Sequence, residues 1–527
     1  MNSRIKVLMM SVLCSVIVLL GGGCGRQKDN DILKVGNSID PSSLDPQVAS
    51  GVSEIRLLSA IFEGLVVPHP ETLEPMPGLA ESWTISEDFR KYEFTLRKNA
   101  TWSNGDRVIA EDFVFSLKRG LTKNLASPWI DMYLFVKNAD KYHDGTLTDF
   151  NEVGIKAISK TKLEIELENS APFFMSILSH SSWFPVHSKT ILKYGAIGDR
   201  TSRWSKIENI VTNGPFIAKS WTLSDRFVVV KNENYWDEAN VKLKEIHFIP
   251  ADADTEERMF RAKEIDITET ITISQIERHK GSNCLKINNG LGCVFLWMNC
   301  GNFPLNDKNV RKALSLSINR NAICRMSNRG ESPAYSLVPN GTMGYESSDL
   351  FKEDAKEAKR LCDNSSFKNR NEKVLTFLYN TSELMRFIAE SAQESFRKNL
   401  DLNINLINEE WKVFLASRRN GKFDIARGGW EGDYNDATTF LNLFLSDNPN
   451  NHGRWSNVKF DELMALASKD MKNRSELLKE AEKIMIDEMP IIPLYFRATG
   501  HLVSDRVGGW YGNILDSHSW KNIFIKQ

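Results

Sequence analysis

Short runs in which apolar residues alternate with polar or charged ones recur along this chain. Stretches of helical spacing separate them, and no repeat unit relates one to the next. Tyr92, Phe94 and Leu96 alternate with Glu93, Thr95 and Arg97, and Leu163, Ile165 and Leu167 alternate with charged neighbours. Such period-two patterns predict half-buried strands. Val310, Ala313, Leu314 and Ile318 follow helical spacing after Asn306, a residue suited to cap a helix start. Leu477, Leu478, Ala481, Ile484 and Met485 mark a second amphipathic helix, closed by Pro490. The absence of heptads or a fixed period excludes coiled coils and solenoids. A mixed α/β chain with roughly 500 residues beyond its leader exceeds what one core can hold, so two or three lobes are expected.

The N-terminus carries Arg4 and Lys6, then an apolar run from Val7 to Leu20. That run is too short to span a bilayer and suits the core of a signal peptide, residues 1–23. Gly21, Gly22 and Gly23 lead directly to Cys24. Small residues before a cysteine resemble a bacterial lipoprotein cleavage box, although Leu20 stands one position further from the cysteine than that box usually has it. The expectation is an extracytoplasmic, periplasm-facing protein anchored through a lipidated Cys24. No other segment is apolar enough to cross a membrane.

Hydrophobic content of 41% and charged content of 26% are those of a soluble globular protein. With 67 basic and 68 acidic side chains the surface has no net field to attract nucleic acid. Beyond Cys14 and Cys24 the cysteines are Cys284, Cys293, Cys300, Cys324 and Cys362, an odd number, so at least one thiol stays free or pairs between chains. No C-x-x-C, His-Glu-x-x-His or Gly-x-Ser-x-Gly occurs, and the 9 histidines are scattered. The chain is therefore read as a non-enzyme with no cofactor and no metal ligands.

Three passages say more than periodicity does. The first runs Gly78-Leu79-Ala80-Glu81-Ser82-Trp83, then Tyr92 to Arg97, then Trp102-Ser103-Asn104-Gly105-Asp106, and ends Glu111-Asp112-Phe113-Val114-Phe115-Ser116. It predicts a strand, an Asn-Gly turn and a helix with acidic residues at its start. The second is Leu44-Asp45-Pro46 with Ile61-Phe62-Glu63-Gly64-Leu65, and the third joins Asn408-Glu409-Glu410-Trp411-Lys412 to Asp424 through Asn435. Together with Thr212-Asn213-Gly214, Asn234-Tyr235-Trp236 and Leu378 to Ser382, these resemble the peptide/nickel family of extracytoplasmic solute-binding proteins. The third passage resembles its oligopeptide-binding branch.

The resemblance implies an α/β fold of the periplasmic-binding-protein-like type II, with two lobes around a cleft and a third smaller lobe. Lobe I would take residues 31–62, 187–292 and 500–527, the extra lobe II 63–186, and lobe III 293–499. The lobes would close on short peptides and present them to the permease subunits of an ABC importer, with the binding protein itself a monomer.

The residues around Gly428 and Gly429 also carry chemistry of their own. A strand through Ile425 leads into two glycines that leave room for another backbone to pair edge-on, as sequence-tolerant peptide binding needs. Trp411 and Trp430 can supply flat walls, Asp433 can accept from an ammonium, and Arg427 can meet a carboxylate or carbonyl oxygen. The resemblance places Asp433 at the peptide amine and Arg427 toward the far end, and suggests backbone partners at Ser50, Gly51 and Val52. Trp129 and Tyr133 are further pocket residues or simply packing, and Leu291 to Trp297 lies near the cleft. In some relatives a cysteine in that stretch is bridged to one just before the aspartate; here Cys293 would face Glu431, so the bridge cannot form. Within the same family a murein-peptide binder and a nickel or haem binder are the alternatives. The Asp433 segment speaks against the metal chelate, which needs no ammonium partner.

Overall fold

The computed structural model describes residues 31–327, 329–369 and 373–526; Cys24 and the leader lie outside them. The period-two runs become strands Lys91–Leu96 and Lys162–Glu166, paired antiparallel within a four-stranded sheet completed by Ala80–Ile85 and Ile155–Ser159. Asn104 and Gly105 turn the chain, Gly105 taking φ 87°, and helix Ala110–Gly120 follows with Glu111 and Asp112 in its first turn. A second sheet sets Ile32–Gly36 parallel to Glu245–Ile249, with Arg226–Lys231 and Phe216–Thr222 beyond it. These two sheets share one continuous hydrophobic core.

A third, six-stranded sheet has its own core. Its order is Ser332–Pro333, Ile491–Leu502, Leu285–Met298, Ile425–Glu431, Leu375–Asn380 and Ile404–Glu409. The helix at 310–318 is present as Lys308–Ser317, but its cap is Asp307 and not Asn306. The Asp307 carboxylate accepts from Asn309 N at 2.8 Å, a stronger electrostatic match to the helix start than an amide. The second helix runs Arg474–Glu488 and stops at Met489, just before Pro490.

Two long antiparallel strands, Leu285–Met298 and Ile491–Leu502, run out of the third sheet toward the strand Ile32–Gly36. Residues 285–289 pair with 498–502 and residues 293–297 with 491–496, but register is lost between Asn289 and Cys293. At the far end Ile267 bridges Val503 to Val35 of the Ile32–Gly36 strand. The two cores are thus joined by a strand pair interrupted at Gly290, Leu291 and Gly292. At Gly292 a Cβ would come within 2.9 Å of Arg497, so glycine lets the strand and that side chain pass.

Buried charges are paired. Arg119, 0% exposed, makes a bidentate bridge to Asp45 at 3.0 and 2.5 Å and reaches Gln47 Oε1 at 2.8 Å. Glu482, likewise buried, accepts from Leu337 N, Val338 N and the Tyr345 hydroxyl. Arg119 is tolerated inside because it meets a carboxylate, and Glu482 because three donors meet it while burial raises its pKa.

Candidate functional site

Strand Ile425–Glu431 lies against Leu285–Met298 along its whole length, from Met298 opposite Ile425 to Gly292 opposite Glu431. On its other side it meets Leu375–Asn380 only through Ile425 and Ala426. From Arg427 to Glu431 that second edge has no partner strand among the described residues, which leaves main-chain donors and acceptors free to pair with an added strand. Glycine at 428 has a different role from the one expected: a Cβ there would sit 2.7 Å from the Phe295 ring and 2.8 Å from Trp297. It is small because the core aromatics press on it. Both glycines stand inside the strand and not after it.

Arg427 is half-buried and has neither an ion pair nor a hydrogen bond among the described residues; its Nε is buried without an acceptor. Its guanidinium lies 5.4 Å from the centre of the Trp411 ring, which is 44% exposed and stacked on Phe414 at 5.7 Å. Arg418, over the Phe414 ring at 5.3 Å, is in the same state, with an unsatisfied buried Nε. Burial and then the neighbouring Arg427 and Arg419 push its pKa down to about 10, and burial followed by Arg497 lowers that of Arg427. Two cations held on aromatic faces, with no carboxylate in ion-pair contact among the described residues, form a receptor for a carboxylate or carbonyl. Arg418 was missed in the sequence, yet positions 411, 414 and 418 share one face of the helix Trp411–Arg419.

Asp433 follows the strand end. Its backbone N donates to Thr439 Oγ1 at 3.1 Å, and no cation meets its carboxylate among the described residues. Solvent reaches the side chain, but the surrounding protein displaces enough water to raise its pKa, and Asp131 raises it further. Asp131 comes from the short helix Ile130–Tyr133, so two unpaired carboxylates from distant parts of the chain share a field. The loop is held firmly: Tyr434 stacks on Phe173 at 4.6 Å, and Asp436 is clamped by Arg474 at 2.8 and 2.8 Å.

Val52, which opens helix Val52–Ile61, shares a cavity of about 510 Å³ with Leu291, Gly292, Glu431, Gly432 and Arg497. Ser50 is exposed and Gly51 half-buried at that helix start. Asp433, Arg427, Trp411 and Trp430 do not line this cavity; Arg427 and Trp430 belong to the strand whose last residue, Glu431, does. Trp430 is half-buried, its Nε1 donating to Thr439 Oγ1 at 3.4 Å. Trp129 donates to Ala49 O at 2.8 Å and packs on His180, so it fixes the turn before Ser50. Tyr133 is in the core, its hydroxyl on Ser182 O at 2.9 Å.

Cys293 is fully buried opposite Trp430, while Glu431 faces Gly292 and pairs with Arg497 at 2.5 Å. Burial raises the Cys293 thiol pKa far above its ordinary value, and Cys284, Cys293, Cys300 and Cys324 are free thiols.

Residues 74–452 match the family model described as bacterial extracellular solute-binding proteins, family 5. The periplasmic oligopeptide-binding protein OppA of Salmonella typhimurium is 36% identical over 515 residues, covering 94% of this chain and 93% of that protein. The unliganded open form of MppA, a periplasmic murein tripeptide binding protein, superposes with a TM-score of 0.85 at 31% identity, covering 94% of this chain and 97% of that one. Haemophilus influenzae OppA in complex with RPPGFSPFR gives 0.72 at 29% identity, covering 94% and 99%.

Proposed function

We propose a carrier of short peptides, from the premise that the chain belongs to the bacterial extracellular solute-binding proteins of family 5. Proteins of this family bind solutes for transport and are not enzymes, and their two-lobed type II fold is the fold of this chain. In our reading residues 31–62, 187–292 and 500–527 form one lobe, 63–186 the smaller lobe and 293–499 the facing lobe. The peptide adds to the free edge of Ile425–Glu431, its ammonium meets Asp433, and its carboxyl end lies toward Arg427. Trp411 and Trp430 flank its side chains, and Ser50, Gly51 and Val52 bond its backbone from the opposite lobe, the one that holds 31–62. The single observation that carries this reading is the unpartnered strand edge ending in an unpaired carboxylate on one side and unpaired arginines on the other.

Closure completes the site. The better superposition on an open, unliganded relative than on a peptide complex supports a cleft that stands open here. The interrupted strand pair at 290–292 is the place to bend. Peptide binds the closed trap and not the unfolded chain, so a hundredfold excess over Kd is expected to stabilise the protein by about 2.7 kcal/mol. Thermal unfolding with and without tripeptides to pentapeptides measures this, and an unchanged midpoint at saturating peptide contradicts the reading.

The Asp433 carboxyl must be ionised to receive an ammonium. Because its pKa is raised in the free protein, protons compete with peptide at less acidic pH than for an ordinary aspartate. Affinity is expected to be flat near neutrality and to fall as pH drops through that raised value, approaching about tenfold per pH unit. Titrations across pH 7 to 4 check this; affinity that rises on acidification overturns it.

A peptide carrier of this kind serves an ABC importer as a monomer, tethered to the membrane through a lipidated Cys24. Cys24→Ser is expected to release the protein from the membrane fraction or block its processing, since stable anchoring needs two or more acyl chains. Unchanged membrane partitioning of that variant contradicts the tether. A murein peptide carries the same ammonium and carboxylates, and MppA binds murein tripeptide, so it is the second ligand class to assay.

A further inference from the structure

Where the strand Ile491–Leu502 leaves the hinge, three side chains converge that the peptide reading does not use. His501 Nε2 lies 2.9 and 3.0 Å from the two Asp516 carboxylate oxygens, and His518 Nε2 lies 3.0 Å from Asp516 Oδ1. The three ligand atoms fall within 4.8 Å of one another. The side chains are 1%, 18% and 5% exposed. Spacing along the sequence gave no sign of this, because a long loop separates His501 from the other two.

The tautomer at His501 is set by its other nitrogen. Nδ1 is 2.9 Å from the carbonyl of Thr268, which can only accept, so Nδ1 carries a hydrogen. In the neutral ring Nε2 then presents a lone pair to a carboxylate. Two such donors of electron density rest at 2.9 Å only if a positive charge lies between them. A second proton is one such charge. Burial opposes it at both rings; at His501 Asp516 outweighs the burial, at His518 it does not, and Arg56 acts against it on both. Arg56 is itself 3.8 Å from Glu269. A metal ion is the other such charge, and it would use His518 as well.

We propose that His501, Asp516 and His518 bind one divalent transition-metal ion, of the zinc, copper or nickel class, at the end of the hinge strand. Two imidazoles and a carboxylate are the donor set those ions take, and three protein ligands leave a position open. The outer partners are in place. Thr268 O orients His501 in the way a metal-bound histidine is commonly held. The Trp510 ring stacks on His518 with centroids 3.5 Å apart, and Asn513 Nδ2 braces the loop by donating to Ser517 O at 2.6 Å and Pro70 O at 3.0 Å. His501 and Asp516 line the 510 Å³ cavity, which provides an entry path and room for water as fourth ligand. The ion would tie the hinge strand to the loop at 513–518 and to Thr268. This site shares the cavity with Val52 and Glu431 but uses none of the side chains proposed to hold the two ends of the peptide.

The test uses the whole mature protein after treatment with chelator. Titration with Zn²⁺ is expected to show one ion per chain, with affinity falling as pH is lowered because protons compete for the histidines. Co²⁺ as a spectroscopic substitute is expected to give the visible absorption of a low-coordinate nitrogen and oxygen site. His518→Ala is expected to weaken Zn²⁺ at least about tenfold, whereas His69→Ala, at a remote turn, leaves it unchanged. If His518→Ala fails to fold, the wild-type Co²⁺ spectrum and a Zn²⁺-dependent rise in wild-type melting temperature still decide the matter. No saturable one-to-one binding by wild type, or equal binding by folded His518→Ala, overturns the proposal and leaves the cluster as a proton-bridged pair.

Discussion

Replacing Asp433 by alanine is expected to weaken binding of free-amine peptides by ~2–5 kcal/mol, the range for removing one partner of a buried charge pair. In the free protein Asp433 is accessible, its pKa is raised by burial and by Asp131, and no cation meets it. Closing the cleft strips water from the ligand ammonium, and a carboxylate must replace that hydration. Asp433→Asn keeps the shape and the hydrogen-bond acceptor but removes the charge, so its loss should be nearly as large. Isothermal titration with one tripeptide measures both variants. Affinities within about threefold of wild type would remove Asp433 from the site, since each tenfold is 1.4 kcal/mol.

Asp45→Ala is expected to destabilise the fold by ~3–5 kcal/mol without touching the ligand. Asp45 follows the first strand, whereas Arg119 belongs to helix Ala110–Gly120, and the bidentate bridge between them staples the segment that leads to Ser50, Gly51 and Val52. Arg119 is 0% exposed, so without Asp45 its charge keeps the Gln47 oxygen and the Trp204 ring but no ion pair among the described residues. An exposed pair provides the contrast. Lys459 and Glu480 stand 2.8 Å apart at 64% and 50% exposure, and Glu480→Ala should leave the urea midpoint close to that of wild type. Urea unfolding of the two variants separates the cases. Equal midpoint shifts would mean that the buried bridge contributes no more than a surface pair.

Local structure was legible wherever one face is buried. The alternation at 92–97 and 163–167 and the helical spacing at 477–485 record which side meets the core, and strands Lys91–Leu96 and Lys162–Glu166 and helix Arg474–Glu488 follow from it. A cap is a weaker signal: Asn306 and Asp307 are adjacent good caps, and only the hydrogen bond to Asn309 N chooses between them. The glycine pair at 428–429 showed that backbone passes close to something. What lies close to Gly428 is a pair of core rings from Leu285–Met298, which no local pattern could reveal. Cross-chain electrostatics were the least legible. Asp131 acts on Asp433, Arg418 neighbours Arg427, and His501 meets Asp516 and His518, each through sheet topology and not through spacing.

The central claim is that the cleft recognises a peptide by its ammonium and backbone and is indifferent to most of its side chains. Calorimetric titration of the wild-type protein with matched peptides, one with a free amine and one N-acetylated, tests it most directly. The account predicts that acetylation costs ~2–5 kcal/mol in wild type and little in Asp433→Ala, because both changes remove the same interaction. Equal affinity of the free and acetylated peptides for wild type would contradict it.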